Sequence, residues 1–485
     1  MSWGGFRARR HTPRHNSPPR TGDSGSTPGW APPAPGSIAP VLTITLTALV
    51  TVASLTLFAL AALTLWWQMY AWRTPETYAA TRFAPPDGDR GLSFSLLLPA
   101  RHEEEVLGAT VRQLLRAEHI RFEVLLIVGH DDPATRTVAE LLAAQSPDRV
   151  RVIVDRHEVK NKPKALNTAL PYCRGVVTGV IDAEDQVHPE LLTHVDHTFR
   201  TTRADVVQGG VQLMNFQSSW YSLRNCLEYF FWFRSRLHLQ AAKGFIPLGG
   251  NTVFVRTALL RDADGWDPEC LAEDCDLGVR LSSRGARTVV AYDPLLVTRE
   301  ETPGSLLALL KQRTRWNQGF LQVHRKGEWR RLPRLRQRVL ARYTLATPFL
   351  QAFTGLLIPL NLAVALFAHV PVGATALSFL PTLALVVTLV FEGVGLHDFG
   401  RQYGQFVRAA DYAKLLLGAP AYQLLLAAAA IRAVWREARG RSDWELTRHT
   451  GAHLAPDAPP SAALPPASAA VPGPRSPQPH EEALR

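Results

Sequence analysis

FSLLLPA (94–100), EVLLIV (123–128), VRVIV (150–154) and VVTGVID (176–182) are short apolar runs, each giving way to polar residues, and their reading decides the fold. Four to eight residues is strand length, and the Val/Ile/Leu composition suits strands buried on both faces. Helical stretches follow them, such as EEEVLGATVRQLL (103–115) and PATRTVAELLAA (133–144). Strands alternating with helices specify an α/β domain with a mostly parallel sheet, expected over residues 92–323. In such sheets ligands bind at the C-terminal strand ends. Those ends carry Arg101, His102 and Glu103, then His130, Asp131 and Asp132, then Asp182, Glu184 and Asp185.

Outward from this domain the texture changes. No charged residue occurs between Ser37 and Trp72, and a helix over Val41–Trp67 would be roughly 40 Å long, enough to cross a bilayer core of about 30 Å. Trp66, Trp67, Tyr70 and Trp72 supply an aromatic belt at its exit. After the domain comes HRKGEWRRLPRLRQRVLAR (324–342), a cationic stretch suited to anionic headgroups. Apolar blocks follow at 345–367 and 374–396, read as an antiparallel pair of spans. A third, at 412–434, is read as an interfacial or re-entrant helix because Arg436, Arg439 and Arg441 follow it. The membrane region thus covers 38–72 and 343–435. Residues 1–37 and 452–485 are rich in Pro and small residues and are expected to be disordered tails.

The formal charge of +11 follows from basic residues crowding the ends of the apolar blocks, so a membrane partner is expected and nucleic acid is not. One N-terminal span with a cytoplasmic enzyme leaves Arg7, Arg9, Arg10, Arg14 and Arg20 on the far side, against the usual bias. No turn signal breaks 38–72, so one span is expected all the same. Cys173, Cys226, Cys270 and Cys275 show no metal-type spacing and read as reduced thiols.

Six elements in order carry a resemblance: PARHEEEVL (99–107), HDD (130–132), KPKALN (162–167), VIDAED (180–185), AEDCDLG (272–278) and QRTRW (312–316). Together they resemble the motif series of membrane-bound family 2 glycosyltransferases, of the GT-A fold, such as cellulose, poly-N-acetylglucosamine and hyaluronan synthases. The resemblance implies a nucleotide-diphosphate sugar donor, UDP-glucose or UDP-N-acetylglucosamine by preference, and Mg²⁺ or Mn²⁺. It places Asp131 and Asp132 at the base or ribose, and Lys164, with Lys162 as competitor, at the diphosphate. Asp182 is the first metal ligand, and either Glu184 or Asp185 completes the site. Asp274, with Glu273, is similar to the TED motif and is expected to be the general base; Ala272 replaces its Thr. Gln312, Arg315 and Trp316 are expected at the acceptor, with Gln312 and Trp316 on one helix face. Gly250 and Asn251 would let backbone approach the acceptor. Trp444, Thr447 and Arg448 resemble a gating segment, expected within 436–451.

A divalent cation neutralises a diphosphate leaving group, and an inverting transfer needs a base for the acceptor hydroxyl. The expected function is processive β-glycan synthesis at the plasma membrane, with the catalytic domain cytoplasmic, a glycan acceptor and room for accessory subunits. The alternative is transfer of one sugar to a lipid or polyprenyl-phosphate acceptor, and a catalytically dead scaffold is the remaining class.

Overall fold

The computed structural model describes residues 38–73, 91–368 and 370–445. Both expected tails lie outside the described residues. Helix α1 (Ile38–Met69) is continuous over 32 residues, in keeping with one uninterrupted N-terminal span. The first half of the α/β domain runs β1 (Phe94–Ala100), α2 (Leu107–Leu114), β2 (Phe122–Gly129), α3 (Pro133–Gln145), β3 (Val150–Asp155), α4 (Lys162–Ala169) and β4 (Val177–Val180). There follow α5 (Leu191–Thr202), β5 (Val206–Gly209), β6 (Val211–Leu213) and α6 (Trp220–Phe231), a π-helical turn at Trp232–Arg236, and α7 (Leu237–Ala242). Then come β7 (Val253–Arg256), α8 (Thr257–Asp262), α9 (Glu273–Ser283), β8 (Thr288–Ala291), β9 (Thr298–Glu300) and α10 (Leu306–Lys326). The remaining helices are α11 (Leu335–Phe367), α12 (Val372–Ser378), α13 (Leu380–Gln402) and α14 (Ala409–Ala438).

The main sheet has the order β3-β2-β1-β4-β7-β5-β8, and every pairing is parallel except those of β7, which runs antiparallel to β4 and β5. β6 and β9 form a second, two-stranded parallel sheet. The four apolar runs quoted above are β1 to β4, as expected. Helices cover both faces of the sheet: α2 and α5 bury Leu107, Val111, Val195 and Phe199 on one, and α4, α6 and α9 bury Leu166, Phe230 and Leu277 on the other.

Local signals fix the helix ends that face the site. Asp132 caps α3, its side chain accepting from Thr135 N at 3.3 Å, with Pro133 in the first turn. Asn161 caps α4 by accepting from Lys164 N at 2.9 Å. Ser305 caps α10, and Gly327 ends it in the left-handed conformation.

The segments Val41–Met69, Leu335–Phe367, Val372–Gln402 and Ala409–Ala438 are long and apolar enough to cross a membrane. They are not a separate appendage. Leu396, Phe399, Tyr403 and Leu415 pack into the same core as Phe230 and Tyr292 of the α/β domain, and the hydroxyls of Tyr292 and Tyr403 are hydrogen-bonded at 2.9 Å. α14 is tethered to that domain along its length. Gln217 donates to Phe406 O just before it, Arg224 to Leu415 O near its start, and Arg436 to Gln318 of α10 near its end. At mid-helix the Tyr422 hydroxyl bonds the Glu228 carboxylate at 2.8 Å.

α10 lies against the segment that leads into α9 with no room to spare. A Cβ on Gly319 would come within 2.4 Å of Ala272 N, and overpacking in a closed interior costs about 1–3 kcal/mol, with no flexible side chain here to yield. Gly319→Val is therefore expected to lower the thermal midpoint of the purified protein by several degrees, read by fluorescence-detected unfolding.

Candidate active site

The site forms where the C-terminal ends of β1, β2 and β4 meet the N-termini of α4 and α9. Its centre is an ammonium group. Lys162 Nζ is ion-paired with Asp182 and donates to Gly250 O at 2.9 Å. A Cβ built on Gly250 would sit 3.1 Å from Asp274 Oδ2 and 3.8 Å from Lys162 Nζ. Asp182 and Asp274, some ninety positions apart in the chain, thus share one cleft, with only the slim backbone of Gly250 and the lysine head between them. Asp274 Oδ1 accepts from Cys275 N at 2.7 Å in the first turn of α9, where the helix N-terminus favours a negative charge.

The electrostatics of the cleft are those of too many carboxylates for the cations present. Burial, then the charges of Glu184, Asp182, Glu104 and Asp132, push the Glu103 carboxyl up to about 8. Burial, then Asp182 and Glu184, push Glu300 up to about 8 as well. Glu273 rises to about 7 through burial and the charge of Asp274, and burial raises Asp274 against the pull of the Cys275 N–H, Lys162 and Arg315. Burial alone would lower the Lys162 ammonium, yet Asp182, Glu273 and Asp274 hold it above its usual range.

Several expected residues are brought together here and others are not. Asp182, Glu184, Gly250, Asn251, Glu273, Asp274, Gln312, Arg315, Trp316 and Trp444 all line one cavity of about 1120 Å³. Asp185 is fully buried, and both its oxygens are committed: it accepts from Asp182 N at 2.7 Å and from Asn251 Nδ2 at 2.8 Å. It shapes the turn that presents Asp182 and Glu184. Asp132 is likewise spent on structure, accepting from His102 N at 2.7 Å besides capping α3. Its neighbour Asp131 stays half-exposed at the rim, paired with Arg101 at 2.9 Å. Neither aspartate lines the cavity, and Lys164 does not line it either; Lys162 is the lysine at the carboxylates, because the Asn161 cap sets the register of α4. Thr447 and Arg448 lie outside the described residues.

On the acceptor side, Trp316 lies between Tyr229, ring centroids 6.3 Å apart, and the Arg313 guanidinium at 4.7 Å. Gln312 Oε1 and Arg315 Nε are buried without hydrogen-bond partners among the described residues. The Arg315 guanidinium stacks on Trp444 at 4.5 Å, so the segment after α14 returns over the mouth of the site. Lys162, Glu103 and Glu300 carry more of the cleft's charge than the sequence reading gave them. Glu103 stood at a strand end and was legible. Glu300 closes a three-residue strand, and its only signal was an acid beside a short apolar run.

The residues fit a divalent cation. Among the described residues no three His, Cys, Asp or Glu side chains form a ready-made cage, but Asp182 and Glu184 lie among carboxyls whose mutual repulsion a cation relieves. Mg²⁺-type sites of one or two carboxylates completed by phosphate oxygens have this character.

Residues 91–319 match the family model described as "Glycosyltransferase like family 2". The chain is 29% identical over 235 residues to a β-monoglucosyldiacylglycerol synthase of Nostoc sp. (strain PCC 7120 / SAG 25.82 / UTEX 2576), covering 47% of this chain and 49% of the relative. It is 26% identical over 236 residues to a poly-β-1,6-N-acetyl-D-glucosamine synthase of Staphylococcus aureus (strain COL), covering 48% and 55%. The chain thus spans about half the length of the curated relatives it matches. Among solved structures, the mannosyltransferase PcManGT from Pyrobaculum calidifontis, in complex with GDP-Man and Mn²⁺, superposes with a TM-score of 0.53 at 18% identity, covering 81% of this chain and 99% of that one. The two share the GT-A fold.

Glu103 gives a test of the crowded charge. A carboxyl whose folded pKa is raised stabilises the fold below its unfolded value, near 4.5, and that contribution is lost as pH rises through about 8. Glu103→Gln is therefore expected to raise the melting temperature of the metal-free protein most at pH 9, less at pH 6, and to leave it nearly unchanged near pH 4, measured by scanning fluorimetry.

Proposed function

From a family 2 glycosyltransferase domain built into a bundle of apolar helices, we propose that the protein is a membrane glycosyltransferase that moves a sugar from a nucleotide-diphosphate donor to an acceptor hydroxyl presented from the bilayer. The carrying observation is the shared cleft: Asp182 and Asp274 stand on either side of Gly250 and Lys162. Mn²⁺ or Mg²⁺, held by Asp182 and Glu184, neutralises the charge of the diphosphate when bound. Lys162 leaves Asp182 to bind the same phosphates, and Arg315 offers a second fixed positive charge. Asp274 takes the proton of the acceptor hydroxyl as its oxygen bonds to the anomeric carbon, and the nucleoside diphosphate departs from the opposite face, inverting the configuration. Trp316 gives a flat surface for a sugar or headgroup, and the unpartnered Gln312 Oε1 accepts a hydrogen bond from it.

The catalytic domain is cytoplasmic in this reading, because the cationic segment 324–342 adjoins it and anionic headgroups attract such segments. α14, tethered to the domain from start to end, lies along the interface, while α1, α11 and α13 span. UDP-glucose and UDP-N-acetylglucosamine are the donors to try first, since relatives named for glucosyl and N-acetylglucosamine products are among those matched.

The acceptor separates two readings. The QRTRW element favours a growing polysaccharide. The cavity favours a lipid, because beyond Trp316 its wall runs between α1, α11 and α13 and turns aliphatic at Leu60, Ile358, Leu385 and Leu389. A glycan carries hydroxyls on every edge and is poorly matched to such a wall. The lipid reading is therefore preferred.

Purified protein assayed for diphosphate release against a panel of nucleotide sugars tests the activity. Asp274→Asn is expected to reduce transfer at least about a hundredfold while nucleotide affinity by calorimetry is retained; wild-type turnover in that variant would remove the base assignment. In the wild type, kcat/KM is expected to fall as pH drops through a value above the ordinary carboxylate range, because burial raises Asp274 and a protonated base cannot accept the hydroxyl proton. Chelation of divalent cations should abolish diphosphate release, and Mn²⁺ should restore it.

A further inference from the structure

The cavity holds a guanidinium that makes no ion pair or hydrogen bond among the described residues, its one carboxylate neighbour, Glu228, being taken by Arg313 and Tyr422. Three arginines line its membrane-facing half, together with two glutamates. Arg224 is paired with Glu392 of α13 at 3.2 Å, and Arg313 with Glu228. Arg236 has neither an ion pair nor a hydrogen bond among the described residues; its guanidinium stands 5.8 Å over the Trp67 ring. It ends the π-helical turn Trp232–Arg236, the kind of local insertion that re-aims a side chain and recurs at functional sites.

Its surroundings mark headgroup depth. Trp67, at the end of α1, meets Tyr343, near the start of α11, edge to face at 5.0 Å. Such rings gather where the hydrocarbon core gives way to water. Beside Trp67, Gln68 lines the cavity, is only 7% exposed and has its Oε1 buried without a partner. An unanswered cation and an unanswered acceptor thus face the same space, and below them Leu60, Ala61, Ile358, Leu385 and Leu389 make an aliphatic wall.

We propose that the acceptor is an anionic glycerophospholipid with two free headgroup hydroxyls, its phosphodiester bound by Arg236, one hydroxyl donating to Gln68 and the other left to react, and its acyl chains between α1, α11 and α13. This rests on the glycosyltransferase reading above and names its acceptor. The headgroup oxygen bonds to the anomeric carbon, the bond from that carbon to the diphosphate breaks, the nucleoside diphosphate leaves with the electron pair, and the hydroxyl proton passes to Asp274. A neutral lipid would leave Arg236 desolvated and unpaired, which is costly and makes the site selective for an anion.

The test uses full-length protein in nanodiscs of phosphatidylcholine, supplemented with either phosphatidylglycerol or diacylglycerol, and a radiolabelled nucleotide sugar that the enzyme cleaves. Label is expected in a solvent-extractable glycolipid made from phosphatidylglycerol, at least tenfold above the diacylglycerol arm. Arg236→Gln should raise the apparent KM for phosphatidylglycerol at least tenfold with kcat changed little and the nucleotide affinity unaltered, and Arg236→Lys should recover most of the loss. Equal labelling of the two lipids, label only in high polymer, or indifference to Arg236→Gln would overturn the inference while leaving the glycosyltransferase reading standing. Failure to release nucleoside diphosphate from any sugar donor, with or without lipid, would overturn both.

Discussion

A lysine ammonium held between a strand end and a glycine carbonyl organises the catalytic half of the molecule. Lys162 ties the end of β4, through Asp182, to the loop before β7, through Gly250 O, and its charge is felt by Asp274 at the start of α9. Without a cation there, Asp182, Glu273 and Asp274 would crowd one buried space, and the like charges would force further protonation. With one lysine in place the cleft still carries excess acid, as the raised Glu103 and Glu300 show. A site in this condition gains from a divalent cation, which answers the crowded carboxylates, and the proposed donor phosphates would in turn meet the lysine and arginine.

Gly250 is what makes the arrangement compact. A Cβ there would press on Asp274 Oδ2 at 3.1 Å and touch Lys162 Nζ at 3.8 Å, so glycine keeps the space beside Asp274 open while its carbonyl holds the lysine. Asn251, next in the chain, turns inward to Asp185 and Glu300 and locks the turn on which Asp182 and Glu184 ride. The main chain around β7 therefore separates Asp182 and Glu184 from Asp274, the proposed metal and base sides of the site.

Strands β1 to β4 were legible as apolar runs of the right length, whereas β5, β7 and β8, four residues each, and the antiparallel course of β7 were not. The acidic clusters were legible as clusters, but not in their individual roles. Asp132 and Asp185 are oxygen donors of the same chemical type as Asp131, Asp182 and Glu184, and only the fold reveals that they are spent on backbone N–H groups. Lys162 and Lys164 are two residues apart, about 200° around a helix, so which one faces the strand ends depended on where Asn161 began α4. Glu300 reaches the cleft through the pairing of β6 with β9, a long-range contact with no local pattern to announce it.

The union of the two halves fixes the shape of the cavity between them. Leu396, Phe399 and Leu415 are buried in the same core as the catalytic sheet's covering helices, and Tyr292 and Tyr403 join the two by a buried hydrogen bond. Packing of this kind does not slide freely, so the path from Asp274 to the aliphatic wall near Leu385 is part of the folded state rather than a gap opened by motion. On the opposite side the way in passes Trp444, held on Arg315, with Glu445 beside it paired to Arg432 of α14. The cavity therefore opens in two directions, one past a short segment tied to α14 by part-buried ion pairs and the other through a fixed cleft between helices. The proposed joining of a water-soluble sugar donor to a bilayer-resident acceptor would use that division of routes, which arises because α14 carries its C-terminal segment back over the site while α1, α11 and α13 line the cleft beneath it.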